Sequence, residues 1–406
     1  MRNTYIKAAI GLYSNYFLLG MINIILSSNM ASLTEKWDTT STGISYVIAA
    51  IGFGKLLTYS SFGVLSDKIG RKPLLIFSSI CMAIFLVSIP VLPSYKLAFI
   101  FAILAGIANA AMDAGSYPAL VEMFTKKASS ANVLVKAFMA TGATILPFII
   151  VFLSENDLFF GYSFFLLAAI YLINMFILIF AKFPKGNDAK TEESEVNEVM
   201  SHFNSKPKIS KEGISLIIIG FTSTALFTVA QIWLPSYGES TVSMANEQAV
   251  KLLSYYSVGS LISVLLLAVL LNKIKSTVIL VLYPVITLVT VSVILTVKVP
   301  EVLTIASFFL GVSTAGVFQL AVTLMNELFW TKKGAVTGLV ATASSIAAVV
   351  MPLATGRIAK SGAIDHIFIF DGFVAVIGMC SGLYIYVRYN KLTKDVNEEE
   401  KEPLLN

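Results

Sequence analysis

Apolar residues fill most of this chain in solid blocks, each as long as the roughly 20 residues a helix needs to cross a bilayer, broken by short polar stretches. The blocks do not alternate apolar with polar positions, so they predict helices and not the strands of a membrane barrel. Setting the boundaries at the polar breaks predicts twelve helices: α1 at 8–30, α2 at 43–65, α3 at 73–92, α4 at 97–120, α5 at 131–154, α6 at 158–182, α7 at 213–236, α8 at 248–271, α9 at 276–298, α10 at 301–327, α11 at 334–357 and α12 at 366–388. One break is longer than the rest. It holds Pro184-Lys185-Gly186, the acidic run Glu192-Glu193-Ser194-Glu195, and then Lys206, Lys208 and Lys211. It reads as a hydrophilic linker with an amphipathic turn around 196–203. The expected organisation is a six-helix half at 1–183, a linker at 184–212, a second six-helix half at 213–390 and a tail at 391–406. The tail carries Asn397-Glu398-Glu399-Glu400-Lys401-Glu402 and reads as disordered.

Composition agrees with the pattern. Of 406 residues 56% are hydrophobic and 13% charged, where a soluble domain carries about 25% charged residues. The mean hydropathy is +0.81. The fold class expected is an all-α integral membrane protein of twelve transmembrane helices. A net charge of +5 then says little about nucleic acid, which is not an expected partner; the lipid bilayer is. Cys81 and Cys380 fall in apolar runs, which rules out a disulfide framework. His202 and His366 lie outside the apolar cores, and no metal cluster, nucleotide loop or nucleophile–base pair is visible, so no cofactor and no enzyme activity are expected. Arg2 and Lys7 precede the first apolar run as in a signal peptide, but that run is too long for one and is read as a retained first helix.

The distribution of the charge orients the chain. With the N-terminus inside, 21 Lys and Arg fall on inner segments and six on outer ones (Lys36, Lys96, Lys251, Lys298, Arg357 and Lys360), leaving Lys55 and Lys136 within helices. Inner loops carry the excess of Lys and Arg in membrane proteins. Both termini are therefore expected in the cytosol, in a multi-pass protein of the cytoplasmic membrane, taken as a monomer. The two halves also repeat. At a spacing of 205 residues Gly106 meets Gly311, Glu122 meets Glu327 and Pro147 meets Pro352, and at 206 Lys126-Lys127 meets Lys332-Lys333. Two pseudo-symmetric six-helix bundles suit a transporter whose substrate binds between repeats near the midplane.

Between α2 and α3 the chain reads Gly63-Val64-Leu65-Ser66-Asp67-Lys68-Ile69-Gly70-Arg71-Lys72-Pro73. Gly63 and Gly70 would permit close helix packing and a tight reversal. Asp67 would pair with a base or cap a helix, and Pro73 suits a first helical turn. This stretch resembles the loop between helices 2 and 3 of the major facilitator superfamily, roughly G-x-L-x-D-r-x-G-r-k. The resemblance implies that Gly63, Asp67, Gly70 and Arg71 belong to a gate. Glu122 and Glu327, at the inner ends of α4 and α10, could latch that gate by pairing with Arg71 and with Lys273 or Lys275.

Ionisable residues inside a membrane are costly and are functional candidates by default. Asp113, two-thirds along α4 among small neighbours, could take up and release a proton, or bond structurally to a neighbouring helix. Lys55 is near the middle of α2 and needs an acid or an anionic substrate to neutralise it. Lys136 is one to two turns into α5, where snorkelling to the surface would satisfy it. Asn15, Asn23, Asn109, Gln231 and Gln319 offer donors and acceptors suited to a hydroxyl-bearing substrate. They fall on α1, α4, α7 and α10, the cavity-lining helices of the superfamily. Tyr117, Trp233 and Tyr237 could stack on a sugar face, or, for the last two, anchor at the interface. Asp371, early in α12, is peripheral in that architecture and is set aside.

Met112-Asp113-Ala114-Gly115-Ser116-Tyr117-Pro118 resembles the Leu-Glu-Thr-Ala-Ala-Asn-Pro segment of fucose–proton symporters. The resemblance implies a proton-coupling role for Asp113. Phe17-Leu18-Leu19-Gly20-Met21-Ile22-Asn23 is similar to their Phe-Leu-Trp-Gly-Val-Ala-Asn, though Ser27 stands where they continue with an aspartate. Trp233-Leu234-Pro235-Ser236-Tyr237 is similar to the Trp-Leu-Pro-Thr-Tyr of sugar-transporting relatives. The function expected is proton-coupled symport of a small polar solute, sugar-like or a sugar acid. Drug–proton antiport is the alternative. Exporters of the superfamily carry an arginine three residues before the α4 glycine and Gly-Pro-x-x-Gly-Gly in α5; here Ile103 and Leu146-Pro147-Phe148-Ile149-Ile150-Val151 stand there.

Overall fold

The computed structural model describes residues 5–124, 128–183, 207–271, 274–329 and 333–393. Among them twelve helices are long and apolar enough to span a membrane. They are α1 Ile6–Ser28, α2 Ser41–Ile69, α3 Arg71–Ser88, α4 Tyr95–Met123, α5 Ala128–Glu155, α6 Tyr162–Phe180, α7 Ile214–Ser240, α8 Asn246–Leu270, α9 Ser276–Thr296, α10 in two pieces, Pro300–Thr314 and Val317–Leu328, α11 Lys333–Ala359 and α12 Asp365–Thr393. A short helix, Met30–Lys36, follows α1, and a π-helical turn, Ile209–Gly213, leads into α7. That turn belonged to the expected linker. It is built into the bundle because the Glu212 carboxylate accepts the Lys208 backbone N–H at 2.8 Å and pairs with Arg388 of α12 at 2.6 Å. The acidic run, the amphipathic turn at 196–203 and the tail beyond Thr393 lie outside the described residues.

In the first half α1 packs on α5 and α6, α2 on α4, and α3 on α4 and α6. In the second, α8 packs on α10, α9 on α10 and α12, and α7 on α8, α11 and α12. The repeat is visible in the closest of these contacts. A Cβ on Gly54 would strike the Ile103 carbonyl, and one on Gly106 the Ile51 carbonyl; 205 residues later Gly259 faces the Phe308 carbonyl and Gly311 the Tyr256 carbonyl in the same way. Only glycine lets the α2–α4 and α8–α10 backbones come this close without lipid or side chains between them. The two bundles differ in one place. α4 is continuous, whereas α10 breaks at Ala315 and Gly316, the latter with φ +80°.

The bundles meet through α2 against α11 and α5 against α8. Among the described residues four hydrogen bonds cross between them. Thr42 donates to the Gly356 carbonyl at 2.7 Å, Ser254 to the Thr144 carbonyl at 2.8 Å, Ser154 to Glu247 at 3.3 Å and Ser236 to the Met30 sulfur at 3.3 Å. All lie toward the end of the molecule opposite the termini. One continuous apolar core joins the first bundle to that end of the second, while the terminal end of the second bundle has a separate core. The halves are thus closed together at the far end and separate toward the terminal end.

The reversal between α2 and α3 is shorter than the expected hinge. Ser66 to Ile69 are still helical, and Gly70 alone turns the chain, at φ +89°. Gly63 does not pack closely, because it is exposed and nothing stands within 4 Å of where its Cβ would be. The Asp67 side chain lies outside the described residues.

Candidate functional site

Asn109, Asp113 and Tyr117 are spaced four apart and so share one face of α4. Gly106 lies one turn before them and brings α2 against that face. The close approach sets Lys55 opposite both polar residues. Its ammonium donates to Asp113 Oδ2 at 2.8 Å and to Asn109 Oδ1 at 3.3 Å. The other carboxylate oxygen accepts the Tyr16 hydroxyl of α1 at 3.0 Å. Both Asp113 oxygens are therefore occupied, one by a charge-assisted bond of the stronger kind. The Lys55 side chain remains 29% exposed while that of Asp113 is 9% exposed. Aromatic rings surround the pair: Tyr117 stands 5.6 Å from Tyr16, and the Lys55 ammonium 5.6 Å from the centre of Tyr59. Tyr16 is fully buried.

The helices that supply this layer are α1, α2 and α4. Among the described residues α1, α2 and α5 each contact the second bundle. Two of the three helices that hold the layer, α1 and α2, thus reach the second bundle, which supports a place for the layer on the cleft side. Asn23 agrees with this placement. It lies two turns beyond Tyr16 on the same side of α1 and is exposed within a stretch of α1 that is otherwise buried or half-buried. Lys136 of α5 is half-buried.

Several expected cavity residues sit elsewhere. Asn15 is fully buried against α6, where its Oδ1 accepts from Asn174 at 2.6 Å, because α1 is sandwiched between α5 and α6 at that level. Trp233 is neither a sugar platform nor an interfacial anchor. It is fully buried and donates to Thr355 of α11 at 2.8 Å. Tyr237 is also enclosed, donating to the Ile294 carbonyl at 2.8 Å with Phe368 edge-on to its ring. Gln231 is buried on α7 and Gln319 half-buried just after the α10 break. At the terminal end Arg71 pairs with Glu122 at 2.9 Å. Glu327 accepts from the Tyr389 hydroxyl of α12, and Lys275 turns to Asn390, while Lys273, the other partner expected, lies outside the described residues. Asp371 is not peripheral. It points into the second bundle, 1% exposed, with no hydrogen-bond partner for either oxygen among the described residues.

Sequence reasoning missed Tyr16 and Tyr59. Each reads as one more aromatic in an apolar block. For Tyr16 the usable signal was its place two turns before Asn23 on one helix face. Ser27, at the position where the sugar symporters carry an aspartate, lines a polar pocket of about 250 Å³ at the far end, with Ser28, Thr34, Thr40, Ser236 and Glu239.

A charged layer in one bundle, facing a second bundle that repeats its helix packing, is the setting in which the family comparison decides. The family model described as Major Facilitator Superfamily matches residues 12–297 and again 252–405. The chain belongs to the Major Facilitator Superfamily. Among curated members of the superfamily it is 60% identical over 394 residues to the uncharacterised MFS-type transporter YfkL of Bacillus subtilis, covering 97% of this chain and 99% of that one. It is 36% identical to the inner membrane transport protein YdiM of Escherichia coli, covering 97% of both chains. It is 33% identical to YdiN of the same organism, covering 96% of this chain and 91% of that one. Among solved structures, a mutant of the nucleoside transporter NupG superposes with a TM-score of 0.74 over 94% of this chain and 100% of that one, at 10% identity, a likeness of fold. The chain is thus a multi-pass membrane transporter of this superfamily.

Proposed function

We propose that this transporter carries a small polar solute, sugar-like or a sugar acid, together with a proton, by alternating access between the two bundles. The observation that carries the reading is the Asp113 carboxylate, shared between Lys55 and Tyr16 on the face of the first bundle that looks at the second. A carboxylate held by one ammonium and one hydroxyl can accept a proton only by giving up its ion pair. Protonation therefore frees Lys55, and solute binding can be tied to it. Asn23, Asn109 and Tyr117 are the neighbouring donors and acceptors for hydroxyl groups, and Gln231 and Gln319 would supply more from the second bundle. Gly70, Arg71 and Glu122 form the gate at the terminal end, with Glu327 in the matching place of the second bundle. The excess of Lys and Arg at that end supports a cytosolic side for it, and the arrangement described is then open inward.

The test is a ligand-induced thermal-shift screen on purified protein with sugars, sugar acids, other organic acids and cationic drugs. Any stabilising solute is then tested for proton uptake in proteoliposomes. A polar solute that stabilises the protein and drives proton entry supports the reading. Stabilisation by cationic drugs alone, with proton flux opposed to drug flux, would overturn it in favour of drug–proton antiport.

A further inference from the structure

Lys136 changes the charge of the site. Tyr13 of α1 stacks on Phe138 of α5 with ring centres 5.1 Å apart, and Gly142 abuts the Phe17 carbonyl. α5 residues 136–142 thus lie at the level of α1 residues 13–17, the level of Tyr16 and Asp113. Yet Lys136 makes no hydrogen bond or ion pair among the described residues, while Lys55 has Asp113 at 2.8 Å. With Lys136 protonated, the layer holds two ammonium groups and one carboxylate, a surplus of one positive charge inside the membrane. An uncompensated charge there is costly, and a structural role would have given Lys136 a partner.

We infer that the solute is an anion bearing one carboxylate, and that Lys136 is its first anchor. This rests on the proton-symport reading above and narrows it. When a proton adds to Asp113, the Lys55–Asp113 ion pair is lost and the Lys55 ammonium turns to the solute. The solute carboxylate then accepts from both lysines, with its hydroxyl groups left for Asn109 and Tyr117. Charge balances across the cycle. The empty layer carries two positive charges and one negative; the loaded layer carries the same two positive charges and one negative, now on the solute. One proton travels with one monoanion, so the loaded carrier and the empty carrier have the same total charge.

The test uses purified full-length protein and matched pairs of probes, each a hydroxylated monocarboxylate and its neutral amide or alcohol, such as glucuronate with glucose and gluconate with glucitol. The expected result is a rise in melting temperature with a carboxylate and none with its neutral partner. Lys136→Gln should abolish that rise while its own ligand-free melting temperature stays at or above that of the wild type. Lys136→Arg should keep the rise. A neutral probe that stabilises equally well, a Lys136→Gln variant that still responds, or a panel in which no carboxylate responds would overturn the inference. In proteoliposomes uptake of the responding carboxylate should follow an imposed pH gradient and ignore an imposed voltage; uptake driven by voltage contradicts the charge balance. The two readings fail differently. A neutral solute with coupled proton flux keeps the symport reading and removes the anion. A stabilising carboxylate that moves without protons keeps the anion and removes the symport.

Discussion

The two bundles are built alike and furnished differently. In the first, Gly54 and Gly106 press α2 onto α4; in the second, Gly259 and Gly311 press α8 onto α10 against the equivalent carbonyls. Lys55 and Asp113 have Ser260 and Phe318 as their counterparts 205 residues on, Asn109 has Thr314, and Tyr16 has Phe221. Where the first bundle holds an ion pair, the second holds a neutral pair of hydroxyls, Tyr256 and Thr314 at 2.7 Å. The scaffold was duplicated and the charge was not. Helix packing therefore belongs to both halves, and proton chemistry in this account belongs to the first. The second half contributes a broken helix, at Gly316, where the first has a continuous one.

The largest effects should come from the shared feature. Gly106→Val and Gly311→Val each drive a branched side chain into a facing carbonyl, and overpacking of this kind costs about 1–3 kcal/mol or more. Both should lose most of the monodisperse protein on size-exclusion chromatography. A large loss for one and none for the other would break the packing equivalence. Lys55→Met should come next. It leaves the Asp113 carboxylate without its cation, so the melting temperature and uptake should both fall. Adding Asp113→Asn should restore the melting temperature but not uptake, because the stranded charge is gone while the proton site is still missing.

Arg71→Gln should have a smaller effect, confined to rate. The pair with Glu122 is at the terminal end, away from the layer, so solute affinity should hold while turnover slows. Measured affinity and turnover separate the two. The smallest effect is expected in the second bundle. Thr314→Val removes the hydrogen bonds of its hydroxyl to Tyr256 and to the Leu310 carbonyl, each worth about 1 kcal/mol, and should leave proton coupling intact. A loss of coupling there would show that the chemistry is shared between the halves after all.

The sequence held the fold in plain view, because hydrophobic blocks, loop charges and a 205-residue repeat each act over many residues and agree. It held the site in part. Asp113 and Lys55 stood out because charges are rare in apolar helices, but which group neutralises Lys55 depends on how near α2 comes to α4. That distance is set by Gly54 and Gly106 through contacts to Ile103 and Ile51, and no local pattern reports it. Trp233 and Tyr237 misled for a related reason. A Trp-Leu-Pro-x-Tyr ending looks the same whether it lines a cleft or is covered, as here, by Thr355, Ile294 and Phe368. Asp371 was dismissed by helix number alone, although the turn of α12 that carries it faces inward.

The central claim is that Asp113, and no group of the second bundle, carries the coupled proton. It is tested most directly by measuring solute exchange and proton flux in the same proteoliposomes with Asp113→Asn, which mimics the permanently protonated acid. The account predicts that exchange of solute across the membrane continues, while solute-driven proton movement and accumulation against a gradient disappear. Proton movement that persists alongside exchange in Asp113→Asn would contradict the account and move the proton site away from Asp113.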